Sequence, residues 1–157
     1  DVFFMPAGRV HALGPGVMLA EIQETSDTTY RIYDWDRTDA EGNSRELHID
    51  EALDAIDFEV PASYRTEYPG AEEQTVPLES CKHFTSNLIS IGKNALEKDY
   101  SALDSFVALL CTEGRITIQC NGKNDSLARG ELLLIPAICE NVLLNPLEKS
   151  KLLEVHM

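Results

Sequence analysis

A repeated twelve-residue segment places the strongest constraint on how this chain can fold. Residues 1–12, DVFFMPAGRVHA, align without a gap with residues 131–142, ELLLIPAICENV. Each copy has an acid, four apolar residues, Pro-Ala and three variable residues, followed by His11 in the first copy and Asn141 in the second. Such internal similarity predicts two copies of one supersecondary unit.

Short apolar segments separated by turn residues dominate the second half of the chain. Asn121 and Gly122 form a dipeptide typical of a tight hairpin, and TEG, ARGE and NPLEKS divide other segments. Several short strands at this spacing predict a β-sandwich or a barrel. The predicted strands are 81–91, 105–111, 116–120, 132–135, 142–144 and 151–155.

The first half of the chain also carries strand patterns. The segment TTYRIYDW alternates and is rich in β-branched and aromatic residues, with Thr29, Arg31, Tyr33 and Trp35 on one face. Two shorter apolar runs are each bounded by proline or glycine turns. The sequence therefore predicts three strands, at 2–5, 17–22 and 28–35.

One segment has helical periodicity instead. Apolar residues at Ile49, Ala52, Leu53 and Ile56 share one helical face, and acidic residues occupy the first turn. This pattern predicts one short amphipathic helix at about 49–57. The proline-rich stretch that follows has no sustained period and is typical of a linker or a surface loop.

The position of the first repeat copy predicts how the chain is divided. The second copy is preceded by FVALLCTEGRITIQCNGKNDSLARG, whereas the first copy begins at Asp1 with no such partner. We therefore expect this chain to be a piece of a longer protein, cut within its first barrel. The expected segments are the rest of that barrel with the helix at 1–58, a linker at 59–77 and a second barrel at 78–157.

The composition and net charge of the chain argue against two classes of binding partner, nucleic acids and membranes. The chain has 27 acidic and 13 basic residues, a formal charge of -14, which repels polyphosphate backbones and anionic membranes. No apolar run of about 18 residues and no signal-peptide pattern is present. We expect a soluble cytoplasmic protein that binds neither nucleic acid nor membrane.

The four cysteines stand apart without a CxxC pair, so we expect reduced thiols in or near the core.

Specific motifs resemble one known family. The apolar run, Pro-Ala and a histidine five residues after the proline resemble the second half of a cupin jelly roll. The longer stretch PAGRVHALGPGVMLAEIQETSDTTYRIYDWDR, followed by RELHIDEALDAI, resembles the compact bacterial type I phosphomannose isomerases. The resemblance implies an all-β fold of cupin barrels, the first one truncated at its N-terminal side.

The resemblance also implies a reaction and a metal. This family interconverts mannose 6-phosphate and fructose 6-phosphate through an enediol, with one zinc ion held by Gln, His, Glu and a later His. Only the later histidine has a counterpart here, His11 in GRVHAL. Because a catalytic zinc needs about three protein ligands, we expect this chain alone to bind zinc poorly and to be inactive.

Three further residues are implied at the sugar-phosphate pocket. Arg31 matches a position whose guanidinium stabilises the enediolate or holds the substrate, facing the same hollow as His11. Asp27 in SDTTYR matches a position for a catalytic acid or base, or for a carboxylate that orients Arg31. Glu21 in LAEIQ matches a pocket-lining glutamate.

Other functions remain open at this point. A cupin metal dioxygenase and a non-catalytic sugar-binding or interaction module share the Pro-Ala and histidine pattern, but SDTTYR favours the isomerase. His48, at the start of the predicted helix, is expected to support its N-terminus, and His83 and His156 are expected to be structural. The second barrel carries Asn141 at the ligand position, which predicts a metal-free domain that packs on the catalytic part. An oligomer is possible.

Overall fold

The computed structural model of this chain describes residues 1–26, 28–70 and 72–157. These residues divide into two compact units: Phe3–Tyr64, and Arg65–Met157 together with Asp1–Val2. The described residues form one helix and nine strands. They are α1 (Ile49–Ala55), β1 (Gln74–Ser80), β2 (Thr85–Ile91), β3 (Leu96–Asp99), β4 (Val107–Glu113), β5 (Arg115–Cys120), β6 (Lys123–Ala128), β7 (Leu132–Ile135), β8 (Asn141–Pro146) and β9 (Ser150–His156).

The unit Arg65–Met157 contains two antiparallel sheets. One sheet has the strand order β1-β2-β9-β4-β7 and the other has the order β3-β8-β5-β6. From β2 onward the strands pair first with last, as β2 with β9, β3 with β8, β4 with β7 and β5 with β6. This nested pairing is that of a jelly roll, so the predicted all-β class is confirmed.

Strand alternation builds the core of this unit. Along β4, Val107, Leu109 and Cys111 are buried while their neighbours are less so, as expected where successive side chains point to opposite faces. Strand β9 repeats the pattern with Ser150, Leu152 and Glu154. Apolar side chains from both sheets thus meet in one buried cluster.

The predicted strands of this unit correspond to observed ones, and three strands were missed. The prediction 132–135 coincides with β7, and the others differ from the observed strands at their ends. Strands β3 and β6 escaped prediction because their segments LEKD and KNDSLA are largely polar. Strand β1 starts at Gln74, inside the expected linker; its Pro77 is tolerated because β1 lies at the edge of its sheet.

The unit Phe3–Tyr64 differs from the sequence prediction. The helix is confirmed as α1, but the predicted strands 2–5, 17–22 and 28–35 are wrong, since no ladder forms among the described residues there. Alternation selects which side chains share a face, but a strand also needs a neighbour for its backbone hydrogen bonds. The last predicted strand instead ends in a turn, with Trp35 and Asp36 at positive φ.

Within the described ranges, no helix is long and apolar enough to cross a membrane.

A buried ionic cluster ties the two sheets of the jelly roll together. The Glu154 side chain, on β9, is only 2% exposed. It accepts hydrogen bonds from Asn87 Nδ2 at 2.7 Å and Tyr100 Oη at 2.7 Å, and it pairs with Lys98 Nζ at 2.8 Å. Lys98 also donates to Thr75 Oγ1 at 3.1 Å, so every charge of this cluster has a partner.

The hydrogen bonds fix the charge state of this cluster. Burial raises the pKa of Glu154, but donation by Lys98 and Tyr100 outweighs it and leaves the pKa below its ordinary value. Burial, reinforced by the charge of Glu154, raises the pKa of Tyr100. Glu154 therefore stays ionised while Tyr100 keeps the proton that it donates.

Substituting Lys98→Met is expected to destabilise the jelly roll. The change leaves the Glu154 carboxylate buried without its counter-charge, and breaking a buried pair from one side costs about 3 kcal/mol. Urea denaturation followed by circular dichroism should show this loss in the free energy of unfolding.

A control variant and a double variant sharpen that test. Glu97→Gln, on the exposed face of the same strand, is expected to change stability by less than about 0.5 kcal/mol. Lys98→Met combined with Glu154→Gln should recover much of the loss, because the buried charge is removed. A single Lys98→Met variant as stable as the original chain would contradict a stabilising role for the pair.

Candidate functional site

A tight turn after Pro6 directs the chain toward His11. The Arg9 amide donates to the Pro6 carbonyl at 3.2 Å, and Gly8 adopts φ +86°, a conformation that favours glycine. The Asp57 amide donates to the Gly8 carbonyl at 2.9 Å, which holds the turn beside the C-terminal end of α1. The Pro-Ala-Gly sequence thus forms a fixed corner rather than the end of a strand.

The Arg9 side chain contacts residues on either side of this turn and is not one of the candidate catalytic or metal-binding groups. Its Nη1 donates to the Phe4 carbonyl at 2.7 Å, and its guanidinium lies 5.2 Å from the centre of the Tyr64 ring. These contacts line a shallow cleft of ≈ 280 Å³ whose wall includes Asp57. Arg9 therefore orders the backbone that carries His11.

His11 is exposed, and a contact with the backbone indicates which nitrogen of its imidazole carries a proton. The Nδ1 atom lies 3.0 Å from the Arg9 carbonyl oxygen. A carbonyl oxygen only accepts, so this hydrogen bond requires a proton on Nδ1, and Nε2 has no recorded partner among the described residues. Metal-binding histidines are commonly fixed in this way, by donation from the other ring nitrogen to a carbonyl.

Arg31 is anchored to His48 from both sides of its backbone. The Arg31 amide donates to His48 Nδ1 at 3.1 Å, and the His48 amide donates to the Arg31 carbonyl at 2.8 Å. The guanidinium donates from Nη1 to the Glu46 carbonyl at 3.1 Å, in an exposed hydrogen bond. Its remaining N–H groups have no recorded partner among the described residues, so they are available to an anionic oxygen.

His48 has a different role from the expected one. It occupies the N-cap position of α1, but its side chain makes no capping hydrogen bond. Its imidazole instead accepts from the Arg31 amide, while its carbonyl accepts from Ala52 at 2.9 Å and begins the helix. His48 therefore links α1 to the segment that carries Arg31.

An ion pair that the sequence analysis missed holds the same segment. Asp34 is 8% exposed and accepts two hydrogen bonds from the Arg45 guanidinium, one of them from Nε to Oδ2 at 2.7 Å. The Arg45 hydrogen bond holds the pKa of Asp34 below its ordinary value against the opposing effect of burial, and the charge of Arg31 lowers it further. An isolated Asp and an Arg have no periodic signal that reveals such a pair.

A compact loop brings Arg45 back to Asp34. Asp39 accepts from the Asn43 amide at 2.8 Å and the Glu41 amide at 3.0 Å, which lowers the pKa of Asp39. An isolated bridge between Thr38 and Ser44 closes this loop. This loop thus returns the chain from Asp34 to Arg45.

The other implied residues do not join His11 in one cluster. Glu21 is exposed, and Asp27 lies outside the described residues. Among the described residues, no recorded hydrogen bond or ion pair connects His11 with Glu21 or Arg31, and no group of three His, Cys, Asp or Glu side chains could hold a metal ion. A zinc site usually needs about three protein ligands, and no such group is found among the described residues.

Comparison with known proteins identifies the family. No family model matches the chain. The mannose-6-phosphate isomerase of Streptococcus mutans is 34% identical over 137 residues, which cover 87% of this chain. This chain belongs to the mannose-6-phosphate isomerase family. The chain spans 42% of the length of that relative.

Solved structures of mannose-6-phosphate isomerases share the fold. The mannose 6-phosphate isomerase from Bacillus subtilis has a TM-score of 0.70 and 24% identity, over 84% of this chain and 41% of that one. A zinc-bound mannose 6-phosphate isomerase has a TM-score of 0.59 and 19% identity, over 73% and 28% of the two chains. These likenesses confirm the cupin-type architecture expected from the sequence.

Substituting Gly8→Ala is expected to loosen the corner that leads to His11. An added Cβ would lie 2.6 Å from the Ala55 carbonyl oxygen, and φ +86° strains any residue with a side chain. A local cost of about 2 kcal/mol corresponds to roughly 30-fold faster hydrogen exchange at the Asp57 amide. Native-state hydrogen exchange measures this rate directly.

Gly14 provides the matched control. No atom lies within 4 Å of the Cβ that Gly14→Ala would add. That variant is therefore expected to leave the Asp57 exchange rate unchanged. Equal rates in the Gly8→Ala variant and the original chain would show that the Gly8–Asp57 contact does not hold the corner.

Proposed function

We propose that this chain is the C-terminal part of a longer, cytoplasmic, zinc-dependent isomerase that interconverts mannose 6-phosphate and fructose 6-phosphate. The family membership supports the reaction, and the zinc-bound relative supports the metal. The observation that carries the proposal is the Nδ1 contact of His11 with the Arg9 carbonyl, which leaves Nε2 ready to bind a metal.

His11 supplies one zinc ligand in this proposal. Its exposure leaves the imidazole open to approach by further donors, and neutral imidazole is a common zinc ligand. The remaining ligands are expected from residues outside this chain, because the described residues contain no group of three His, Cys, Asp or Glu side chains that could hold a metal ion. The chain by itself is accordingly expected to bind zinc weakly.

Arg31 acts on the substrate. Isomerisation moves a proton between C2 and C1 and places negative charge on an oxygen of the enediol. A guanidinium fixed by the Glu46 carbonyl, with its backbone fixed by His48, presents a permanent positive charge at little cost in reorganisation. Arg31 therefore stabilises the enediolate oxygen or holds the sugar phosphate.

Asp27 and Glu21 are proposed to assist His11 and Arg31 at the sugar-phosphate pocket. Asp27 is proposed as an acid or base, or as the carboxylate that orients Arg31, and Glu21 as a residue that lines the pocket. In the proposed domain division, 1–58 belongs to the catalytic barrel, 59–77 is a linker whose last residues, from Gln74, enter β1, and 78–157 is a barrel without metal. The last assignment is supported by Asn141 at the position equivalent to His11.

Removing the imidazole of His11 tests the zinc site. In the longer protein that contains this chain, His11→Ala is expected to lower zinc affinity by more than about 100-fold, the upper end of what a second-shell change costs. Isomerase activity, measured in a coupled assay with mannose 6-phosphate, should fall with the zinc content measured by elemental mass spectrometry.

His83→Ala is the control for this experiment. His83 lies between β1 and β2, outside the candidate site, and its replacement should leave zinc content unchanged. If His11→Ala retains full zinc and full activity, His11 is not a ligand. A longer protein that binds zinc but does not isomerise mannose 6-phosphate would instead favour a sugar-binding module.

Replacing Arg31 tests the substrate role separately. Arg31→Ala is expected to lower kcat/KM by roughly 100-fold, the scale of losing one donor to a developing oxyanion. Arg31→Lys should recover part of the loss, because the charge remains but the planar fork is gone. Unchanged zinc content in both variants would separate this effect from that of His11, and unchanged kinetics would exclude Arg31 from the reaction.

A further inference from the structure

Two cysteines of the jelly roll meet through the pairing of its strands. Cys120 ends β5, where its Cα is paired with that of Val142 on β8. Cys139 lies just before β8, in a turn closed by donation from its own amide to the Pro136 carbonyl at 2.9 Å. Both cysteines are half-buried and pack against the same apolar core.

Asn121, the residue after Cys120, contacts the side chain of Cys139. Asn121 Nδ2 lies 3.3 Å from the Ile138 carbonyl oxygen and 3.7 Å from Cys139 Sγ. Burial, followed by the side chain of the neighbouring Cys139, raises the pKa of Cys120 to about 11. Cys120 therefore keeps its proton at neutral pH.

We propose that Cys120 and Cys139 form a reversible disulfide when the protein meets a peroxide. The Cys139 sulfur attacks one peroxide oxygen, the O–O bond breaks, the thiol proton leaves with the other oxygen as water, and Cys139 becomes a sulfenic acid. The Cys120 sulfur then attacks the Cys139 sulfur, the S–O bond breaks, and the Cys120 proton leaves with the second water. Two thiols are oxidised, one hydrogen peroxide is reduced to two waters, and a dithiol reductant reverses the reaction.

The remaining cysteines lack such a partner among the described residues. The Cys111 thiol is buried in the core and donates to the Glu113 carbonyl at 3.3 Å. The Cys81 thiol donates to the Phe84 carbonyl at 3.5 Å, between β1 and β2. Neither has a recorded contact with another thiol, so oxidation is expected to join Cys120 to Cys139 selectively.

The disulfide would restrain a crossing between the two sheets. Cys139 lies in the connection from β7, in the five-stranded sheet, to β8, in the four-stranded sheet. Cys120 precedes the hairpin turn at Asn121 and Gly122. A bond between them closes a loop that contains β6 and β7, which limits the unfolded chain and stabilises the jelly roll. This inference does not depend on the proposed isomerase activity.

Peptide mapping of the folded chain after exposure to hydrogen peroxide tests the proposal. The expected product has lost two hydrogen atoms, about 2 Da, and contains a single cross-linked peptide pair joining Cys120 to Cys139. Its thermal midpoint is expected to rise by roughly 10 °C and to return after reduction. Wild-type peptides that remain reduced, or that join another pair, would overturn the proposal.

Serine variants provide matched controls. Cys120→Ser and Cys139→Ser should each abolish the mass loss and the rise in thermal midpoint. Cys81→Ser removes a half-buried cysteine away from the pair and should leave both responses intact. If Cys81→Ser abolished the cross-link, or either of the other variants retained it, the assignment of this pair would be wrong.

Discussion

The hydrogen-bonded position of β9 between β2 and β4 is the constraint on which the jelly roll depends. Strand β9 is paired with β2 from Ser150 to His156 and with β4 from Lys151 to His156. Its inward positions bring Leu152 into the core and Glu154 to the donors on β2 and β3. Because the register sets which face each side chain takes, a shift by one residue would expose Leu152 and separate Glu154 from Lys98.

The unit Phe3–Tyr64 is held by a different kind of interaction. It contains α1 but no ladder among its described residues, and specific polar contacts fix its backbone: Gly8 with Asp57, Arg31 with His48, and Asp34 with Arg45. Many of its apolar side chains are exposed, with Met18 at 92%. Extended apolar surface is typical of a region that contacts other protein, which supports the proposal that this unit belongs to a longer isomerase.

The candidate chemistry rests on positions that these polar contacts hold in place. The Pro6–Arg9 turn fixes the tautomer of His11 through a backbone carbonyl, and His48 fixes the backbone of Arg31. Neither device creates an active site by itself. The first leaves the Nε2 atom of His11 without a recorded partner among the described residues, and the second positions the Arg31 guanidinium; other donors and the substrate would determine how each group is used.

The sequence predicted those strands and site residues that depend on local patterns, and it missed those that depend on pairing with distant residues. Strands with clear alternation, such as β7, were predicted because one face is buried, whereas the polar strand β6 depends on its pairing with β5. The motif around Pro6 indicated His11, but no local pattern indicated the pair of Asp34 with Arg45. Three strands were expected before residue 36, and none forms among the described residues there.

The sequence by itself determined the jelly-roll class, the short helix, the family and the candidate ligand, because apolar periodicity and local motifs are written along the chain. Only the tertiary structure decided which strands find partners, that Glu154 is neutralised by Lys98, and that Cys139 lies against Asn121, the residue after Cys120. These outcomes depend on contacts between residues far apart in sequence. Such contacts are fixed by strand register and burial, which no single segment specifies.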